Sequence, residues 1–151
     1  MSAADFDLGL LVAAVRDRIT AISPTVDAFA GEPDARMDSD RRAHAYAAVY
    51  ASPGNQHHLD LGQSADVLTW QFQVTCAGGD SQRALRAVRA VRAALTDWRP
   101  VLPGYSCGVV REEPSFIPPP LAPDGPGTQP PRWRTFLLFT LTLTVPQGGT
   151  P

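Results

Sequence analysis

The pattern of hydrophobic and polar positions changes its period in the middle of the segment 68–100. In the first half, every second residue is apolar and threonine or glutamine lies between; the apolar positions are Leu68, Trp70, Phe72, Val74 and Cys76. This alternation predicts a strand with one buried and one polar face, which is typical of an antiparallel sheet. After a break at "AGGD", apolar residues recur every third or fourth position. This spacing predicts an amphipathic helix with a core stripe of Leu85, Val88, Val91, Leu95 and Trp98.

The same two periods predict the remaining elements. Asp80 or Ser81 can cap the helix just described, and Pro100 ends it. Apolar spacings of three and four over 6–22 predict an earlier helix, capped by Asp5 or Asp7 and ended at Ser23-Pro24. Strict alternation over 134–145 predicts the strongest strand. Shorter strands are expected at 25–29, within "RRAHAYAAVYAS" and at 105–111.

Two long connections separate these elements. The segment 53–66 is polar and rich in turn residues, which indicates a loop or a loose hairpin connection. The segment 113–133 is so rich in proline that it predicts a long, extended, projecting loop, and the tail 146–151 is expected to fray. Together the elements predict one α+β domain over residues 1–151, with two helices packed on one face of a mainly antiparallel, mixed sheet.

Composition narrows the classes of function. The formal net charge of -2 provides no general attraction to nucleic acid or to an anionic membrane. No apolar run approaches the roughly 20 residues that span a bilayer, and the acidic start of the chain is unlike a secretory signal. Cys76 and Cys107 match neither a zinc spacing nor a disulfide framework, so we expect reduced, structural thiols.

The chain offers little catalytic chemistry. His57 and His58 are adjacent, so on an extended segment they point to opposite sides and do not converge on one metal ion. His44 is expected to be a surface or half-buried residue rather than a base. The glycines of "CAGGD" suit a strand-to-helix turn and lack the phosphate-binding patterns, while Glu112-Glu113 is an isolated acidic pair. We therefore expect no enzyme activity, no cofactor and no metal.

Two surfaces are candidates for contacts with other proteins. Arg83, Arg86, Arg89 and Arg92 recur every third residue beside the apolar stripe of the second helix. They can be a solvated face whose stems cover apolar neighbours, a contact surface that pairs with carboxylates, or a surface that faces DNA. The uncharged strand face that carries Gln71 and Gln73 is equally suited to solvent or to a neighbouring subunit.

The segment "WQFQVTCAGGDSQRALRAVRAVRAALTDWRP", followed by "VLPGYSCGVVREE", a proline-rich stretch and a closing strand, resembles the tail terminator proteins of long-tailed bacteriophages of actinobacteria. These are α+β proteins of one domain. The resemblance covers about a third of the chain at residue level, and the order of elements over most of the rest. It rests on Trp70, Phe72, Val74, Thr75, Cys76, Gly78, Asp80, Ala84, Val91, Arg92, Leu95, Trp98, Arg99 and Pro100.

The resemblance implies a virion protein, made in the host cytoplasm, that forms a homo-hexameric ring at the head-proximal end of the tail tube. Such a ring stops tube polymerisation, contacts the major tail tube protein and the head-closure protein, and lets DNA pass through its lumen. The expected interface residues are Arg83, Arg86, Arg89, Arg92, Gln71, Gln73, Phe116, Ile117 and Trp133. The alternatives are another neck, head-closure or minor tail protein, or a small enzyme or ligand-binding domain with its pocket under the proline loop.

Overall fold

The computed structural model describes residues 6–58, 65–124 and 130–146 and has the predicted α+β architecture. The helices are α1 (Leu8–Ile22) and α2 (Ser81–Leu95), and both pack on the same sheet. The strands are β1 (Asp27–Ala30), β2 (Tyr46–Ala51), β3 (Asn55–His58), β4 (Ala65–Gly78), β5 (Ser106–Cys107), β6 (Arg111–Glu112), β7 (Ala122–Pro123) and β8 (Trp133–Pro146).

The centre of the sheet is the antiparallel pair of β4 and β8. Their register runs without interruption from Ala65 opposite Pro146 to Gly78 opposite Trp133, so that all 14 residues of each strand are paired. The sheet order is β1-β2-β4-β8-β5, with β3 on β4 and with β6 and β7 on β8. Only the β1–β2 pair among these described strands is parallel, which makes the sheet mixed, as expected.

The core lies between the sheet and the helices. Trp70 and Phe72 stack with ring centroids 4.4 Å apart, and Phe72 stacks on Phe139 of β8 at 5.5 Å. Helix α1 contributes Leu11, Val15 and Ile19 to this core from the helix side of the sheet. The alternating apolar residues of β4 and β8 therefore all point toward the helices, as their period of two requires.

The predicted core stripe of α2 is partly wrong. Leu85 is 42% exposed, whereas the small residues on the helix are buried; the buried positions are Ala84, Ala87, Val88, Ala90, Val91, Ala94 and Leu95. Asp80 caps the helix by accepting from the Arg83 N–H, and the helix ends at Leu95, before the predicted stop at Pro100. The buried alanines let α2 lie close to β4, and that close approach turns Leu85 outward.

Several strand boundaries also differ from the predictions. The segment 53–66 contains β3, which pairs antiparallel with the start of β4, so of its two predicted forms the hairpin is the one observed. The predicted strand 105–111 is split into β5 and β6 because the Val110 N–H donates to Trp98 O instead of to β8. The proline-rich segment contains β7, and the edge strand at 25–29 lies at Asp27–Ala30. Pro146 closes β8, and 147–151 lie outside the described residues.

The burial of the alanines on α2 predicts a sharp contrast between two neighbouring positions. Ala94 is fully buried and Ala93 is exposed. Ala94→Leu should lower the free energy of unfolding by about 1–3 kcal/mol because the core has no room for the added atoms. Ala93→Leu, the matched control, should change it by less than about 0.5 kcal/mol. Urea denaturation of both variants measures the difference, and equal effects would contradict the placement of α2.

Candidate interaction surfaces

One face of the sheet is free of helices in the part of the chain that the structure describes. We call it the open sheet face, and it is formed by Tyr46, Ala48, Tyr50, Gln71, Gln73, Thr75, Arg134, Phe136 and Thr140. Two clefts open on it, with volumes of about 410 Å³ and 290 Å³, and both include Gln73, Thr75 and Arg134 in their walls. The predicted residue Gln71 is exposed here, and Gln73 is half-buried between the clefts.

The proline-rich segment frames one side of the open sheet face. The Glu113 N–H donates to Leu138 O at 2.8 Å, and the Phe116 ring lies 5.5 Å from that of Phe136. Further along, Thr135 Oγ1 donates to Pro119 O at 2.5 Å. Residues 113–124 therefore follow β8 back toward its start, and 125–129 lie outside the described residues.

The predicted contact residues in this segment are placed differently from one another. Ile117 is 86% exposed, although Phe116 and Pro119 on either side of it are anchored to β8. Phe116 itself is half-buried. Trp133 is also half-buried, and it begins β8 opposite Pro123. Ile117 is thus the most accessible apolar side chain of the three.

Arg134 lies at the junction of the two clefts. Its Nε is 2.7 Å from Asp124 Oδ1, a charge contact that lacks the alignment of a hydrogen bond, and the arginine side chain is 63% exposed. Nearby, Arg132 donates from Nη1 to the Tyr46 hydroxyl and lies 5.6 Å from the centre of that ring. Their proximity carries no sequence signal, because it depends on the pairing of β7 with β8 and of β2 with β4 in one sheet.

The four arginines of α2 divide into two pairs. Arg83 Nη2 donates to Asp38 Oδ2 at 2.7 Å and Nη1 donates to Ala43 O at 3.0 Å. Arg92 makes a bidentate pair with Glu112, at 2.9 and 2.8 Å, which ties α2 to β6. Arg86 and Arg89 are exposed and form no ion pair within the described residues. Among the arginines of α2, and within the residues that the structure describes, these two have charges left for another molecule.

Asp38 organises the loop that Arg83 holds. One of its carboxylate oxygens accepts from the N–H groups of Asp40 and Arg42, and Met37 bridges to Ala43 across the turn. Hydrogen bonds to its charged form lower the pKa of Asp38 to about 2. The bond from the Arg42 N–H contributes most, and the bond from the Arg83 side chain is second. Gly79 packs directly under this loop, where a Cβ would meet Arg42 Cβ at 2.5 Å. The glycine of "CAGGD" therefore serves close packing.

The remaining polar candidates stay dispersed. Burial raises the pKa of the Cys76 thiol to about 12, and burial also raises the pKa of Cys107. Both cysteines are free. His44 is half-buried in the approach to β2, and the side chains of His57 and His58 lie outside the described residues. Within 6–58, 65–124 and 130–146, no three His, Cys, Asp or Glu side chains group as metal ligands would.

Comparisons with known proteins include a likeness to a chain of a solved virion structure. No family model matches the chain, and no curated protein matches it. A solved chain from the structure "Virion of native gene transfer agent (GTA) particle" is similar in fold, with a TM-score of 0.55 and 17% sequence identity. The likeness covers 91% of this chain and 96% of that chain. The two chains therefore share an architecture over nearly their full lengths.

In the described part of this chain, neither helix is long and apolar enough to cross a bilayer.

The division of the arginines predicts different effects of truncation. Arg83→Ala should lower the free energy of unfolding by about 1–2 kcal/mol because it removes the described donor of Asp38 Oδ2 and one of the two donors of Ala43 O. Arg89→Ala should change it by less than about 0.5 kcal/mol because its side chain is exposed. Chemical denaturation of the two variants provides the comparison. A larger loss of unfolding free energy for Arg89→Ala than for Arg83→Ala would contradict the division into ion-paired and exposed arginines.

The lowered pKa of Asp38 predicts an acid-sensitive loop. A carboxyl group whose pKa is depressed by folding stabilises the folded state above its ordinary pKa, near 3.8, and this contribution is lost as the pH falls toward about 2. The Arg42 amide should therefore be protected from hydrogen exchange at pH 5 and lose protection between about pH 4 and 2. The Asp38→Asn variant should show no such step. A wild-type profile identical to that of Asp38→Asn would rule out this role.

Proposed function

We propose that this protein is a structural component of a phage-like virion, and that within the virion it is the tail terminator. The observation that carries the proposal is the similarity to a chain of a virion particle over 91% of this chain and 96% of the other. The residues shared with tail terminators between Trp70 and Pro100 include the Asp80 cap and the end of α2, and they support the finer assignment.

The surfaces of the molecule are suited to assembly. A closed ring needs head-to-tail contacts in which two different patches of each subunit meet. The exposed arginines Arg86 and Arg89 lie on α2, and the open sheet face with Gln71 and Gln73 lies on the other side of the sheet. We assign these two surfaces to the contacts between neighbours in a hexameric ring. Arg83 and Arg92 act inside the subunit and hold those surfaces in place.

The proline-rich segment 113–133 is the proposed contact to the tail tube or to a neighbouring subunit. Ile117 is held at 86% exposure between two anchored residues, so its burial costs little conformational freedom. Within this segment, Phe116 packs on Phe136 of β8, and Trp133 pairs with Pro123 of β7. The ring would then meet the major tail tube protein on one side and the head-closure protein on the other, with its lumen open for DNA.

Two other functions can be separated from this one. Another neck or minor tail protein would share the virion location but would not bind the end of a bare tail tube. A ligand-binding domain is favoured only by the cleft of about 410 Å³ between Thr75 and the segment 119–124. Native mass spectrometry of the purified protein would detect a small molecule retained in that cleft.

The terminator assignment predicts an effect on the length of tail tubes. When the protein is co-expressed with the major tail tube protein of the same genome, tubes should be short, with ring-shaped density at one end. Arg86→Glu combined with Arg89→Glu should fold normally, remove the ring and restore long tubes, because the arginines can donate to glutamine oxygens of the open sheet face and glutamate cannot. Electron microscopy of the tube ends measures both effects. Unchanged tube length with unoccupied ends would refute the terminator role.

A further inference from the structure

We infer that the outward face of α2 binds the loop Gly31–Asp34 and the adjacent tyrosine Tyr50 of a second copy of this chain. The inference rests on the proposed ring and names the residues of its contact. One patch, the α2 patch, consists of Leu85, Arg86 and Arg89. The other, the β1-loop patch, consists of Glu32, Pro33, Asp34 and Tyr50.

The α2 patch combines an apolar side chain with two cations. Leu85 is 42% exposed, which is unusual for a leucine on a helix that packs on a sheet. Arg89 lies four residues after Leu85 and three after Arg86, so it neighbours both of them on the surface of the helix. The structure describes no carboxylate paired with either arginine.

The β1-loop patch has the complementary composition. Glu32 and Asp34 are exposed on either side of Pro33, and within the described residues neither forms an ion pair. Pro33 and Tyr50 line the smaller cleft of the open sheet face, and Tyr50 is 41% exposed. Gly31, with φ of 93°, sets the turn that carries the two carboxylates away from β1.

The two patches are positioned for a head-to-tail contact. The helix α2 covers one side of the sheet, whereas Pro33 and Tyr50 face the cleft on the opposite side. One copy therefore cannot join its own patches, but a row of copies can, each placing α2 against the next copy's β1-loop patch. Two arginines then face two carboxylates, and Leu85 meets the exposed ring of Tyr50.

The other charges near the cleft do not oppose this pairing. Arg134 also lines the cleft, but Asp124 at 2.7 Å compensates its charge. Arg132 is directed at Tyr46, where it contacts both the hydroxyl and the ring. The exposed carboxylates Glu32 and Asp34 are the anions at this rim that remain for a neighbour's arginines.

A charge exchange tests the contact. Sedimentation velocity should show self-association of the wild type at low ionic strength, where screening is weak. Arg86→Glu with Arg89→Glu, and separately Glu32→Arg with Asp34→Arg, should each weaken the association by at least about tenfold. Combining all four substitutions should restore association to within about threefold of the wild type, because each pair is then reversed in sign but intact.

A matched control changes the net charge by the same amount as Arg86→Glu with Arg89→Glu, but at other positions. Arg16→Glu with Arg111→Glu replaces two arginines outside both patches and should leave association within about twofold of the wild type. The inference would be overturned if the variant with all four substitutions is folded, as judged by circular dichroism, but does not recover association. A wild type that stays monomeric up to about 1 mM would overturn it as well. Either result leaves the terminator proposal standing if tubes are still capped in the tube-length experiment.

Discussion

The uninterrupted pairing of β4 with β8 is the constraint on which the rest of the molecule depends. Alternation with a period of two sends the large apolar side chains of 68–76 and 137–143 to one side, and Gln71, Gln73, Thr75 and Thr140 to the other. A slip of one residue would exchange the two faces. Helices α1 and α2 cover the apolar side, so the polar side is left as the open sheet face. One pairing thus determines both the core and the surface offered to partners.

The elements with strict periodicity could be predicted from the sequence, since burial imposes that period on them. The phase of α2 could not, because its buried side is built largely from alanines, which are equally common on exposed helix faces, so that the apolar pattern predicts Leu85 on the buried side. The splitting of the 105–111 strand depends on a hydrogen bond between Val110 and Trp98, which are twelve residues apart and meet only in the folded chain. Such contacts carry no periodic signal.

The sequence indicated which elements carry candidate surfaces, but not which residues of those elements are exposed and unpaired. A row of four arginines on α2 was visible in the sequence, but only the structure separates the pair held by Asp38 and Glu112 from the exposed pair. The carboxylates Glu32 and Asp34 had no motif that could single them out. Their importance comes from position, next to the cleft that Pro33 and Tyr50 line. Ionic contacts between subunits need such placement more than any particular spacing in the sequence.

In the proposed ring, the surfaces of the protein and not reactive groups carry the function, and its two sides meet neighbouring subunits. Cryo-electron microscopy of the virion that contains this chain tests that claim most directly. We expect a ring of this fold at the joint between tail tube and head, with α2 of each subunit against the open sheet face of the next. A map in which the fold lies elsewhere in the particle, or in which both surfaces face solvent, would contradict it.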